Sequence, residues 1–168
     1  MDIANGALRA SSADFGLALV FYKHRLESDT LNQVGTSRYF SPELLDGAIN
    51  FSGDSLLKVD IYACALVFWE TLSRCGSLQT LNRVKEYKLP FEVEFGSVPR
   101  LNELRNFISL QQRRPVIEPH WGSNRFLAAL CQTIEDCWCN DAESRLAAPC
   151  ISERLKSLQR FFVDSSPD

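Results

Sequence analysis

Asp14-Phe15-Gly16, inside the stretch Ser12-Ala13-Asp14-Phe15-Gly16-Leu17-Ala18-Leu19, is the first place where residue type and spacing could do chemistry. A carboxylate at the end of a short strand can ligate a hard divalent cation and, through it, phosphate oxygens. The same residues also make an ordinary turn, with Asp capping and Gly bending, and a chosen tripeptide arises by chance in on the order of a few per cent of chains of this size. A second reactive set, six cysteines and two histidines, favours neither a zinc site nor a disulfide framework. Cys64, Cys131, Cys137 and Cys139 fall in apolar stretches that read as helices, no Cys-x-x-Cys pair occurs, and His24 and His120 stand apart from them. Buried, reduced thiols in a cytosolic compartment fit better.

The elements that must position these residues follow from length and pattern. A chain of 168 residues, 45% hydrophobic, is long enough for one packed core and predicts a single domain. A formal net charge of −3 argues against a nucleic-acid surface, which needs clustered Lys and Arg. The start has no basic patch leading into an apolar run, and the longest apolar run, Ile61 to Trp69, is about half of what a membrane span requires, so the chain as given is expected to be soluble. Leu8 to Ala13 and Leu17 to Phe21 have strand length and flank the Asp-Phe-Gly turn. Residues 22–33 are charged and aperiodic, which predicts a mobile surface loop. Ser41-Pro42-Glu43 reads as a helix start, with Ser as cap, Pro in the first turn and an acid at the positive end of the dipole. Leu56 to Cys75 is apolar on every face and predicts a central helix. Three more helical stripes follow: Leu101, Leu104, Phe107 and Ile108, ended by Arg113-Arg114-Pro115; Phe126 to Trp138; and a last one from near Pro149 through Phe162.

Taken together, the motifs resemble a known pattern. Asp14-Phe15-Gly16, a loop, and then Gly35-Thr36-Ser37-Arg38-Tyr39-Phe40-Ser41-Pro42-Glu43 resemble the protein-kinase segment running from Asp-Phe-Gly to Ala-Pro-Glu, with Ser41 in place of Ala. Asp60 at the opening of the central helix, and Cys137-Trp138 followed by Asp141-Ala142-Glu143-Ser144-Arg145, are similar to features of a kinase C-terminal lobe. Asp46-Gly47-Ala48-Ile49-Asn50-Phe51, Leu89-Pro90-Phe91-Glu92, Arg113-Arg114-Pro115-Val116 and Thr133-Ile134-Glu135-Asp136-Cys137-Trp138 narrow the resemblance to type II receptors of the TGF-β superfamily, in particular the activin type II branch. It runs from about Leu8 to about Leu158. Ala65, where that family usually has Gly, and Ala147, where the resemblance implies a Ser cap before the last helix, depart from the pattern.

The resemblance implies a mainly α fold: the C-terminal lobe of a protein kinase with two short N-terminal β-strands, an incomplete domain over residues 1–162 with a frayed tail at 163–168. It implies that Asp14 binds the magnesium bridging the nucleotide phosphates, that Gly16 lets Asp14 swing, and that Gly35, Thr36, Tyr39 and Pro42 shape the activation and substrate loop. In this pattern Thr36 hydrogen-bonds the catalytic base and favours Ser or Thr acceptors. Glu43 and Arg145 form a buried ion pair, and Asp60 accepts hydrogen bonds from the catalytic loop. The plainer readings are a turn-capping Asp14, a loop threonine at Thr36 and an exposed Arg145. The parent would be a plasma-membrane receptor serine/threonine kinase with this segment in the cytoplasm, using ATP and Mg2+ to phosphorylate a type I receptor. Yet only thirteen residues precede Asp14, and neither a Gly-rich loop nor a His-Arg-Asp motif occurs. The chain alone is therefore expected to lack the base and the ATP-binding lysine, to bind no nucleotide tightly, to be inactive, and to self-associate through apolar surface that the missing parts would cover. The competing reading is a catalytically inactive interaction module that keeps a docking surface made by the helix from Leu101 to Gln111 and the loop from Thr36 to Pro42. An unrelated helical adaptor is the third.

Overall fold

Ser52 sets the start of the helix around which the rest packs. Its Oγ accepts from the Ser55 N–H at 3.2 Å, so the central helix α2 runs Gly53–Ser73, beginning three residues before the apolar pattern does. The structure, a computed structural model, describes residues 2–4, 7–9, 11, 36–48, 52–75, 86–123 and 125–164. It divides into two units, Met1–Gly35 and Thr36–Asp168.

In the first unit, β1 (Asp2–Ala4) and β2 (Ala7–Arg9) pair antiparallel, with Asp2 opposite Arg9, Ile3 opposite Leu8 and Ala4 opposite Ala7. The residue types between them, Asn5-Gly6, are those that a two-residue hairpin connection favours. Of the expected strand from Leu8 to Ala13, Leu8 and Arg9 are in a strand and Ser11 is not, which shortens it, while Ala10, Ser12 and Ala13 lie outside the described residues. The expected strand at 17–21 and the loop at 22–33 lie outside the described residues.

The second unit is helical. After a 3-10 turn at Ser37–Tyr39 come α1 (Pro42–Leu45), α2, α3 (Glu92–Phe95) and α4 (Leu101–Leu104), which continues as a π-helical stretch over Arg105–Leu110. Another 3-10 turn (Pro119–Ser123) leads into α5 (Arg125–Cys137), and a third (Ala142–Ser144) precedes α6 (Ala148–Asp164). Pro42 starts α1 as expected, but Ser41 makes no side-chain cap bond. The Ala147 carbonyl accepts from Ile151 N–H at 3.1 Å, which puts a residue without a side-chain acceptor at the α6 cap. α6 extends through Val163 and Asp164, into the stretch expected to be tail.

One core joins these helices: Ile61, Tyr62, Ala65, Leu66 and Leu72 of α2, Leu104 and Ile108, Cys131, Ile134 and Cys137 of α5, Ile151 of α6, and Trp121 and Trp138. All six cysteines are free thiols; Cys131 and Cys137 are buried, whereas Cys150 is exposed, contrary to uniformly buried thiols. Burial pushes the Cys137 thiol up to about 12, which keeps it protonated and unreactive. Among the described residues no helix is long and apolar enough to cross a membrane.

Candidate functional site

The segment from Thr36 to Leu45 is built by short-range bonds and then anchored by long-range ones. Tyr39 N–H donates to the Thr36 carbonyl at 2.9 Å and Phe40 N–H to Ser37 at 3.1 Å, closing a turn that leaves Thr36 exposed and turns Arg38 inward. Arg38 is only 2% exposed. Its guanidinium donates to the carbonyls of Pro90 at 2.5 Å, Gly96 at 2.7 Å and Ser97 at 2.9 Å, so a buried charge is solvated by peptide dipoles instead of by a carboxylate. Tyr39 Oη donates to Glu70 Oε1 at 2.6 Å, while Tyr87 Oη donates to Oε2 of the same carboxylate at 2.6 Å. Burial, reinforced by the Glu70 carboxylate, holds the Tyr39 phenol far above its ordinary range, so it remains a donor.

Glu43 and Arg145 are brought together from 102 positions apart. Arg145 Nη1 and Nη2 donate to Glu43 Oε1 and Oε2, each at 2.7 Å, in a fork. The remaining donors go to the carbonyls of Lys58 (Nη1, 2.9 Å), Cys139 (Nε, 2.8 Å) and Asn140 (Nη2, 3.4 Å), and Lys58 Nζ returns a bond to the Arg145 carbonyl at 2.8 Å. Burial pushes the Glu43 carboxyl up, but the hydrogen bonds and charge of Arg145 outweigh it and hold the group below its ordinary value. Asp141 prepares the approach: its carboxylate accepts from Glu143 N–H at 3.1 Å and Ser144 Oγ at 2.6 Å, fixing the turn that delivers Arg145. Beneath them, the fully buried Tyr62 ring lies between two guanidiniums, with Arg114 Cζ 5.1 Å and Arg145 Cζ 5.2 Å from its centre. Burial pushes the Tyr62 phenol up to about 12.

Of the residues singled out in the sequence, Thr36, Tyr39, Pro42 and Glu43 thus occupy one anchored segment, and Arg145 meets it from the far end of the chain. Asp14, Gly16 and Gly35 lie outside the described residues. Asp60 stands apart on α2, has no hydrogen-bond partner among the described residues, and its carboxyl is raised by desolvation. Among the described residues no group of three or more His, Cys, Asp or Glu could hold a metal ion. Sequence reasoning missed Arg38, Glu70 and Arg114. Arg114 Nε donates to Trp138 at 2.8 Å and Nη1 to Ile108 at 2.9 Å, tying the π-helical stretch to the end of α5. The signals for Arg114 were its place in the stretch Arg113-Arg114-Pro115-Val116 and a basic residue directly before a proline, neither of which points to buried partners.

No family model matches the chain. Curated relatives do: activin receptor type-2A of Homo sapiens is 47% identical over 154 residues, 92% of this chain and 30% of the receptor. Activin receptor type-2B of Xenopus laevis is 48% identical over 161 residues, 96% of this chain and 31% of that receptor, and activin receptor type-2A of Gallus gallus is 46% identical over 154 residues. The chain therefore spans under a third of the length of the relatives it matches. With nearly half its residues identical to theirs along nine-tenths of its own length, the chain belongs to the activin type II receptor family.

Proposed function

We propose that this chain is the C-terminal-lobe portion, over residues 1–162, of a receptor serine/threonine kinase of the activin type II class. The intact receptor, held in the plasma membrane with this segment on the cytoplasmic side, transfers phosphate from ATP to Ser or Thr hydroxyls of a type I receptor. The observation that supports this most is the forked Glu43–Arg145 pair, which anchors the segment downstream of Asp14 to the helical body as a substrate-presenting loop requires. In this reading Asp14 holds magnesium, Gly16 gives it rotational freedom, and Gly35, Thr36, Tyr39 and Pro42 shape the loop that receives the substrate hydroxyl. Magnesium with ATP supplies charge neutralisation on the transferred phosphate. Arg38 and Glu70 hold the loop, and neither touches the reacting atoms in this reading.

Taken alone, the 168 residues contain neither a His-Arg-Asp base nor a Gly-rich loop, and phosphoryl transfer depends on several such parts acting together. The test is a chimaera in which this chain replaces the matching 154 residues of human activin receptor type-2A. Magnesium- and ATP-dependent phosphorylation of a type I receptor kinase domain that disappears with Asp14→Asn supports the reading. A folded chimaera without transfer, or transfer unaffected by Asp14→Asn, overturns it. Tight ATP binding by the isolated chain would overturn its inactivity.

A second reading, a catalytically silent docking module, draws on exposed apolar side chains bracketing the segment from α4 through the π-helical stretch: Val98 at 85%, Leu101 at 51% and Leu110 at 67% exposure. It requires the isolated chain to bind the type I receptor without nucleotide and to lose that binding with Leu110→Asp.

A further inference from the structure

A cavity of about 550 Å³ opens between the C-terminal half of α2, the segment from Glu86 to Glu94, and the stretch from Pro115 to Trp121. Its volume is that of a ligand site. Its wall includes the aromatic Trp69, Phe91 and Trp121, and among the described residues four carboxylates, Glu86, Glu92, Glu94 and Glu118, line it with one ammonium, Lys88. Nothing in the function proposed above uses it. We propose that this cavity docks an extended peptide segment in which a basic side chain stands next to an aliphatic one.

Three observations converge on that occupant. Among the described residues the charge is one-sided: Glu86 and Glu94 are solvent-exposed and have no cationic partner there, so the cavity presents carboxylates to whatever enters. The indole of Trp121, only 2% exposed, has its Nε1–H without an acceptor among the described residues, whereas Trp69 Nε1 donates to the Val116 carbonyl at 2.9 Å. A buried donor left unpaired is costly, and a small shift of the indole would bring it to a main-chain carbonyl, an acceptor that a peptide brings and a bare amine lacks. Finally, aliphatic side chains of the lining stand uncovered beside those carboxylates: Val93 is 75% exposed and Val116 63%. A small cation would leave those side chains in water, while an aliphatic neighbour on a peptide would cover them.

The walls are preorganised. Glu92 Oε2 accepts from Leu89 N–H at 2.6 Å, and Phe91 adopts a left-handed φ of 60° that buries its ring edge-on against Phe107, 6.1 Å between centres. Docking of this kind needs no nucleotide and no phosphate transfer, so it stands or falls independently of the kinase reading.

The test uses the full chain with 15N-labelled tryptophan and the blocked peptide Leu-Arg-Val-Arg-Leu, against the same peptide with Gln for Arg. The three indole N–H resonances serve as reporters, assigned with Trp121→Phe and Trp69→Phe. The Arg peptide is expected to move the Trp121 signal while leaving Trp138 in place, and to bind about tenfold more tightly than the Gln peptide. That preference is expected to vanish in Glu86→Gln/Glu94→Gln, whose unfolding midpoint should match that of the parent. Equal affinity for both peptides, an unmoved Trp121 signal, full preference in the double variant, or displacement of the peptide by equimolar spermine would each overturn the proposal. The last would mark an amine site instead.

Discussion

At the scale of single residues, the arginines do the anchoring. Arg145, with a side chain 0% exposed, spends its donors on one carboxylate and on the carbonyls of Lys58 and Cys139. A lysine has neither the planar fork nor the number of donors to replace it. Removing either member leaves the other buried and uncompensated, so Glu43→Ala and Arg145→Ala should each cost about 3–5 kcal/mol, with the double variant costing well under the sum. Urea unfolding of the four species measures this; simple additivity would mean that the fork contributes nothing as a pair. The same pair sets an acid limit. Glu43's folded value lies below its ordinary 4.5, so its stabilisation is complete above 4.5 and is lost as pH falls through the lower folded value. Glu43→Gln should therefore flatten the acid limb of the stability curve, as read by circular dichroism. An unchanged acid limb would assign the acid loss to other carboxylates, such as Asp46, which Ser109 and Arg105 hold below its usual value.

At the scale of elements, Arg38 ties the 3-10 turn before α1 to the loop around α3 through three carbonyls. Arg38→Lys keeps the charge but not the fork, and should lower stability by about 2 kcal/mol, the range for a lost hydrogen bond to a charged group. The urea midpoint should fall at unchanged slope; a midpoint within error of the parent would show that an ammonium solvates equally well there. Helix positions were legible where apolar spacing repeats: α5 coincides with the stripe from Phe126, and α6 starts beside Pro149 as read. The central helix was legible as an element but not at its edges, because Ser52 begins it by capping and not by apolarity. The stripe Leu101, Leu104, Phe107, Ile108 fits an α-helix, yet the chain widens to π geometry, with Gln111 N–H reaching Asn106 O at 2.9 Å. The widened turn carries Ser109 and Arg105 to the Asp46 carboxylate, and such a pairing, set by tertiary contact, leaves no trace in local periodicity. The Glu43–Arg145 contact was readable only because both residues sit in recognisable motifs. Glu70 sits in no such motif, and Arg38 sits in one without a role that would point to its partners, which are carbonyls far along the chain.

At the scale of the whole molecule, the central helix is the element whose sequence and surroundings disagree. Its apolar residues cover every face, yet Leu57 is 62% and Val67 50% exposed, and a largely apolar groove of about 120 Å³ lies between Phe68, Leu72, Leu130, Ile134 and Leu155. Asp60, on the same helix, has its carboxyl raised by desolvation, with no donor to offset it among the described residues. A carboxyl raised in the folded state favours folding most below its ordinary 3.8, and that contribution is lost as pH rises through the raised value, so at neutral pH it counts against the fold. Asp60→Asn should then raise the neutral-pH unfolding midpoint of the isolated chain, with little effect in strong acid. In the function proposed above, a kinase lobe carrying a catalytic loop gives Asp60 its donors and covers the helix. In the chimaera with human activin receptor type-2A, the same substitution should therefore destabilise. The isolated chain is also expected to bind a hydrophobic dye and to self-associate, since uncovered apolar surface of this kind finds a partner. Both behaviours should disappear in the chimaera. Dye fluorescence and sedimentation, run on the two proteins at matched concentration, read this directly. An isolated chain that stays monomeric, unfolds cooperatively and leaves the dye dark, with Asp60→Asn no more stable than the parent, would show that the helix needs no cover and that these 168 residues form a self-sufficient module.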